Sequence, residues 1–165
     1  MKKVFLLIGL IITATTFAQE KTASPKETVT GKIDDVNVEV VYCKPSAKGR
    51  KVMGALVPYG EVWRTGANEA TTISFDKAVT IEGQKLAAGQ YSLFTIPGEN
   101  EWTIIINSDP KQWGAYKYKK EKDVLRVTVK PGKTTFTETF TIALDKIGLS
   151  LKWEETEVNV SIKKG

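Results

Sequence analysis

The stretch Gly54–Glu69, reading Gly-Ala-Leu-Val-Pro-Tyr-Gly-Glu-Val-Trp-Arg-Thr-Gly-Ala-Asn-Glu, holds the densest set of reactive side chains in the sequence. Glu61 and Glu69 flank one loop. Two carboxyl groups about 5 to 9.5 Å apart could hydrolyse a glycosidic bond, one as acid and the other as base or nucleophile. Arg64, Asn68 and Glu69 could instead grip a ligand, with Tyr59 beside them. Arginine offers a planar five-donor fork for a carboxylate, a phosphate or several carbonyls. The chain has 24 basic residues, and only Arg50, Arg64 and Arg126 are arginine. Those three positions therefore call for a fork as well as a charge. The structural reading of Arg64 is an ion pair with Glu69 or Asp123 that pins the loop. The functional reading is a pocket for an anionic or polar ligand.

A second cluster is Trp113-Gly114-Ala115-Tyr116-Lys117-Tyr118. Aromatics around a glycine in an irregular segment could stack on a sugar ring, with Trp113 and Tyr116 as the platform. They could equally tether the segment to the body of the protein. Trp63, Trp102 and Trp153 lie in strand-like stretches and read as core.

Other chemistries are ruled out by composition. The sequence has no histidine, so it lacks His-based nucleophile activation, His general-base catalysis and the common zinc sites. Its one cysteine, Cys43, permits no internal disulfide and reads as a buried apolar side chain. No phosphate-binding glycine loop, calcium loop or nucleophile elbow is present. No cofactor or metal is expected.

The elements that position these residues read as strands. Val36, Val38, Val40 and Tyr42 alternate with outward residues, as on a half-buried strand. A short strand is expected near Lys51–Met53 and another at Glu61–Arg64. The loop after it should need Gly66 for positive φ or close approach, and Asn68 to bond its own backbone. Further strands follow at Thr71–Phe75, Val79–Ile81, Tyr91–Ile96, Trp102–Ile106 and Leu125–Val129. Phe136, Phe140, Ile142 and Leu144 share one face of a long strand. Two more are expected at Leu149–Trp153 and Val158–Ile162. Roughly ten short strands with polar turns, and no helical stripe, predict an all-β protein. The expected fold is a single antiparallel β-sandwich, jelly-roll or immunoglobulin-like. Lys111–Asp123 is the longest break in the rhythm.

Several of these strings resemble the domain-of-unknown-function 2911 family. They are Gly49-Arg50, Leu56–Thr71, Ala88–Gly98 with Glu101-Trp102-Thr103, Trp113–Tyr116, Asp123–Val127 and Leu149–Glu154. The resemblance runs from Val36 to the C-terminus, and Trp63-Arg64-Thr65-Gly66-Ala67-Asn68 is its most specific string. That family consists of exported bacterial proteins without an established activity. The resemblance implies export and a single domain and supplies no substrate.

Residues 1–18 read as a cleaved signal peptide: Lys2 and Lys3, an apolar run from Val4 to Ile12, then Thr16-Phe17-Ala18. The apolar run is too short to span a bilayer. No cysteine follows the cut, so the protein is not expected to be a lipoprotein or to keep a stable membrane anchor. Residues 19–35 read as a flexible lead-in and edge strand, and 36–165 as the sandwich domain. Removing Lys2 and Lys3 leaves 22 basic against 19 acidic residues, a net charge of +3. Such a mild and scattered charge argues against nucleic acid. The expected protein is periplasmic or secreted. It acts as a non-catalytic binding module for a glycan, peptide or small polar ligand. The alternatives are a structural or interaction protein whose motif only holds the fold, and a hydrolase using Glu61 and Glu69. Expression in a Gram-negative host should yield an exported protein beginning at Gln19. N-terminal sequencing checks this, and an intact Met1 in the cytoplasm would contradict it.

Overall fold

A computed structural model describes residues 23–165; the expected signal peptide lies outside them. Ten strands form two antiparallel sheets. The strands are β1 (Lys26–Ile33), β2 (Val36–Cys43), β3 (Thr71–Phe75), β4 (Val79–Ile81), β5 (Gln84–Leu86), β6 (Gly89–Ile96), β7 (Trp102–Asn107), β8 (Asp123–Val129), β9 (Gly132–Leu144) and β10 (Gly148–Lys164). The larger sheet runs β1-β2-β3-β6-β7-β8 and the smaller β5-β4-β10-β9. The β4–β5 hairpin crosses to the second sheet between β3 and β6, so the two sheets face each other as a sandwich.

The alternation seen in the sequence builds the core. Val36, Val38, Val40 and Tyr42 of β2 meet Ile142, Leu151 and Val160 from the other sheet in one continuous cluster. Trp63 enters the same cluster from a loop. Its ring lies 5.0 Å from Phe140, 5.9 Å from Trp153 and 6.4 Å from Trp102. Truncating a core tryptophan costs about 3–5 kcal/mol, so Trp63 anchors this loop in the core.

Several expected elements differ. Glu61–Arg64 is not a strand. Trp63 alone bridges to Thr95, because the turn at Pro58–Gly60 and left-handed Thr65 confine pairing to one residue. Lys51–Met53 is not a strand either, and Met53 only bridges to Val57. The two closing strands are one, β10. Its inward residues switch from odd (Leu149, Leu151, Trp153) to even (Val158, Val160, Ile162) across register shifts against β9. Glu154, at φ +51°, sits in that irregularity. Its carboxylate accepts the backbone N–H groups of Val52 (3.0 Å) and Met53 (3.3 Å) and seats that loop on the sheet. The same shifts turn Phe136 outward, 61 % exposed, while Phe140 and Ile142 stay buried. Extra residues on β9 break the period of two that placed Phe136 on one face with Phe140, Ile142 and Leu144.

Asp35, at the β1–β2 turn, ties the first hairpin to the end of the chain. Its carboxylate accepts from Lys77 (2.9 Å) and Lys164 (3.1 Å), and Asp34 accepts the Lys164 N–H (3.2 Å). The two ammonium groups, Lys77 foremost, pull the Asp35 carboxyl from 3.8 to about 2. A carboxyl whose folded pKa lies below its unfolded value stabilises the fold above the unfolded pKa. That contribution is lost as pH falls from about 4 towards 2. Melting temperature measured across this window should therefore fall more steeply in the natural protein than in Asp35→Asn. Parallel curves would show that the clip contributes nothing.

Candidate functional site

Every inner strand of the larger sheet has its backbone paired on both sides, so chemistry must come from side chains and loops. Two loops cover part of the sheet's outer face. The first follows Trp63. A buried indole N–H needs an acceptor, and the Gly66 carbonyl supplies it at 3.1 Å. The tight return puts Thr65 at φ +56° and Asn68 at φ +57°. Thr65 is fully buried, and its carbonyl accepts the Thr71 hydroxyl at 2.6 Å. Gly66 is required for close approach, since a Cβ there would meet the Cys43 carbonyl at 3.0 Å and the Thr71 hydroxyl at 3.1 Å. The positive φ values fall on its neighbours.

The second loop joins β7 to β8. Asn107, buried at the end of β7, holds it. Its amide nitrogen donates to the Lys119 carbonyl (3.0 Å) and to Asp123 (2.8 Å). Its amide oxygen accepts the Asp109 N–H (3.1 Å) and Gln112 Nε2 (3.2 Å). Tyr118 packs edge-on against Phe94, 5.1 Å between ring centres, and donates to Asp123 at 2.6 Å. This cover buries Phe94 and Ile105 on the face that simple alternation would leave wet.

The two loops are stitched antiparallel. Glu69 bridges Trp113, the Ala70 N–H donates to the Gln112 carbonyl (2.9 Å), and the Gly114 N–H donates to the Asn68 carbonyl (2.9 Å). Between them and the outer face of β2, β3 and β6 lies a cleft of about 460 Å³. Lys26, Cys43, Glu69, Gln90, Gln112 and Trp113 are among the residues that line it. Trp113 is 61 % exposed. Cys43 is buried, as expected, but on this outer side beneath Glu69, to which its thiol donates at 3.5 Å. Burial pushes the Cys43 thiol up. Glu69 is held below the ordinary carboxylate range by its own backbone N–H and then by Lys26, 3.1 Å away. The cleft therefore presents an ionised carboxylate and a protonated thiol at neutral pH. Among the described residues, no group of three or more Cys, Asp or Glu side chains could hold a metal ion.

The expected site residues separate. Glu69 and Trp113 share the cleft; Arg64, Asn68 and Tyr116 are not part of its lining. Among the described residues, Arg64 pairs with neither Glu69 nor Asp123. Glu69 bonds Lys26 and Cys43, and Asp123 bonds Asn107, Tyr118 and Arg126. Arg64 is half-buried, and its Nε is enclosed without a partner. Asn68 uses its left-handed backbone rather than an Asx turn, and its amide lies beside the Cys43 thiol. Arg50 bonds the Ser46 and Ala47 carbonyls (2.8 and 2.9 Å). Arg126 bonds Asp123 (2.7 Å) and the Tyr118 hydroxyl (2.9 Å). Tyr59 packs over Gly54 at a separate hollow, and Tyr116 is 86 % exposed. Glu61 is exposed and outside the cleft lining. Lys26, Gln90, Gln112 and Asn107 were not singled out by sequence reasoning. The one signal for Gln112 was its place in the irregular Lys111–Asp123 segment; Asn107 lies before that segment, at the end of β7.

A family model described as "Protein of unknown function (DUF2911)" matches residues 24–162. No curated protein matches the chain, and no solved structure matches it.

The arginine geometry yields a direct comparison. Arg126→Lys loses the fork shared between Asp123 and Tyr118 and should destabilise by about 1–3 kcal/mol. Arg64→Lys breaks no such bond and should stay within about 0.5 kcal/mol. Urea denaturation of both variants measures this. Equal losses would mean that Arg64 also holds the fold.

Proposed function

The chain belongs to the DUF2911 family, whose description assigns no activity, and from the geometry we propose an exported, non-catalytic binding module whose site is the Trp113 cleft. One observation carries this reading. A tryptophan 61 % exposed stands at a cleft that also holds Lys26, Glu69, Gln90 and Gln112. A large exposed aromatic beside convergent polar groups is how small sites combine a stacking surface with orientation. The volume suits a small polar molecule or the end of a chain. Export rests on the layout of residues 1–18.

The chemistry of the lining favours binding over turnover. Among the described residues Glu69 is the single carboxylate there, and its own backbone N–H and then Lys26 keep it ionised, so it is a poor general acid. Glycoside hydrolysis needs two carboxyl groups facing one ring, and Glu61 lies outside this lining. The purely structural alternative draws its support from Arg50 and Arg126, which bind only neighbouring parts of the fold.

A screen of glycans, peptides and polar metabolites on the purified protein tests the reading. At least one class should be retained, with Trp113→Ala abolishing retention and changing stability by less than about 0.5 kcal/mol. Retention unaffected by Trp113→Ala would remove the cleft as the site.

A further inference from the structure

The β7–β8 loop carries charge that the fold does not use. Residues 111–122 hold five lysines and one acid, Glu121, a net charge of +4. The rest of the chain from Gln19 on has 17 basic residues (22 less 5) and 18 acidic ones (19 less 1), a net charge of −1. The positive excess of the exported chain therefore lies in this one segment. Lys122 is paired with Asp109 at 2.6 Å. Lys117, Lys119 and Lys120 are exposed, and among the described residues they form no ion pair.

Two successive turns aim these groups outward. The Tyr118 N–H donates to the Ala115 carbonyl (3.1 Å) and the Lys122 N–H to the Lys119 carbonyl (3.0 Å). The joint between the turns is held to the body of the protein. Tyr118 rests on Phe94 and bonds Asp123, and the Lys119 carbonyl also accepts the Asn107 amide. The corners, Tyr116 with Lys117 and Lys120 with Glu121, are left outside, and Tyr116 is 86 % exposed. A partner would meet side chains on a loop that is already fixed.

We propose that this loop docks the protein reversibly on an anionic lipid bilayer, with Tyr116 at the headgroup level and Lys117, Lys119 and Lys120 against lipid phosphates. This goes beyond the cleft and rests only on export, which places the chain in a compartment bounded by membranes. A tyrosine ring favours the bilayer interface, where its face meets apolar chain and its hydroxyl stays wet. Lysines beside it are drawn to the anionic surface. A stable protein partner would bury about 800 Å² on each side, roughly 20–30 residues, and two turn corners supply a handful. Single-stranded nucleic acid also takes lysines and aromatic rings, but export removes the chain from it.

The test is sedimentation of the purified protein with vesicles of phosphatidylcholine, alone or mixed with phosphatidylglycerol. The protein should sediment with the anionic vesicles at low salt, stay in solution with the neutral ones, and be released as salt screens the surface charge. Each lysine near an anionic surface is worth about fivefold in binding. Replacing Lys117, Lys119 and Lys120 together by Gln should therefore weaken binding by about a hundredfold. Tyr116→Ser should weaken it several-fold. Replacing Lys32, Lys85 and Lys163 by Gln removes the same charge elsewhere and should change binding by less than about twofold. All of these side chains are exposed, so the variants should fold. No sedimentation with anionic vesicles at low salt overturns the proposal. So does an equal loss on the control triple, which would make the attraction one of overall charge, and so does binding that ignores Tyr116→Ser. Retention of a single-stranded oligonucleotide through the same lysines, without vesicle binding, overturns it in favour of nucleic acid. None of these outcomes bears on the cleft, whose lining lacks Tyr116, Lys117, Lys119 and Lys120, and N-terminal sequencing reads export separately.

Discussion

The indole of Trp63 sits between the two sheets, and its N–H has to find an acceptor there. The Gly66 carbonyl is the one the chain can return within three residues. That return forces a β-branched residue, Thr65, into the left-handed region, a conformation that costs on the order of 1–3 kcal/mol. It persists because the surroundings hold it from every side. The Thr71 N–H donates to Arg64, the Thr71 hydroxyl to Thr65, and Trp63 and Thr95 exchange both backbone bonds. Gly66 then passes too close to Cys43 and Thr71 to carry a Cβ. The direction in which Asn68, Glu69 and Ala70 leave the loop follows from this packing.

That direction matters because residues 68–70 pair with 112–114. The second partner is presented by Asn107, whose single amide serves four bonds and holds the β7–β8 loop against the sheet. Together the two loops convert an open sheet face into a covered one with a cleft at its end. At the cleft the indole of Trp113 stands in solvent and, among the described residues, the enclosed Gln112 oxygen lacks a donor.

Arginine scarcity pointed to residues that need a fork, and two of the three use it within the fold. Arg50 closes its own turn and Arg126 closes a triad with Asp123 and Tyr118. Residue type could not distinguish these roles from ligand recognition, because a guanidinium grips a carbonyl and a ligand oxygen with the same geometry. The aromatic cluster divided likewise. Tyr118 is the tether, whereas Trp113 and Tyr116 face solvent. The pairing of Glu69 with Trp113 spans 44 positions, and nothing local in either segment announces the other.

The sequence by itself determined most of the strands, most of their inward faces and the all-β sandwich class. Those depend on a period of two in side-chain polarity, which each segment carries alone. It also determined what chemistry is unavailable, since a chain without histidine and with one cysteine has few reactive options. Tertiary structure decided the rest. The inversion of Phe136 and the joining of β10 arise from slippage against a partner strand. The partners of Arg64, Glu69 and Gln112 arise from loops that meet only when both are packed on the same sheet. Contacts of that kind depend on three-dimensional closure, so the site was decided by packing, while its ingredients were already present in the chain.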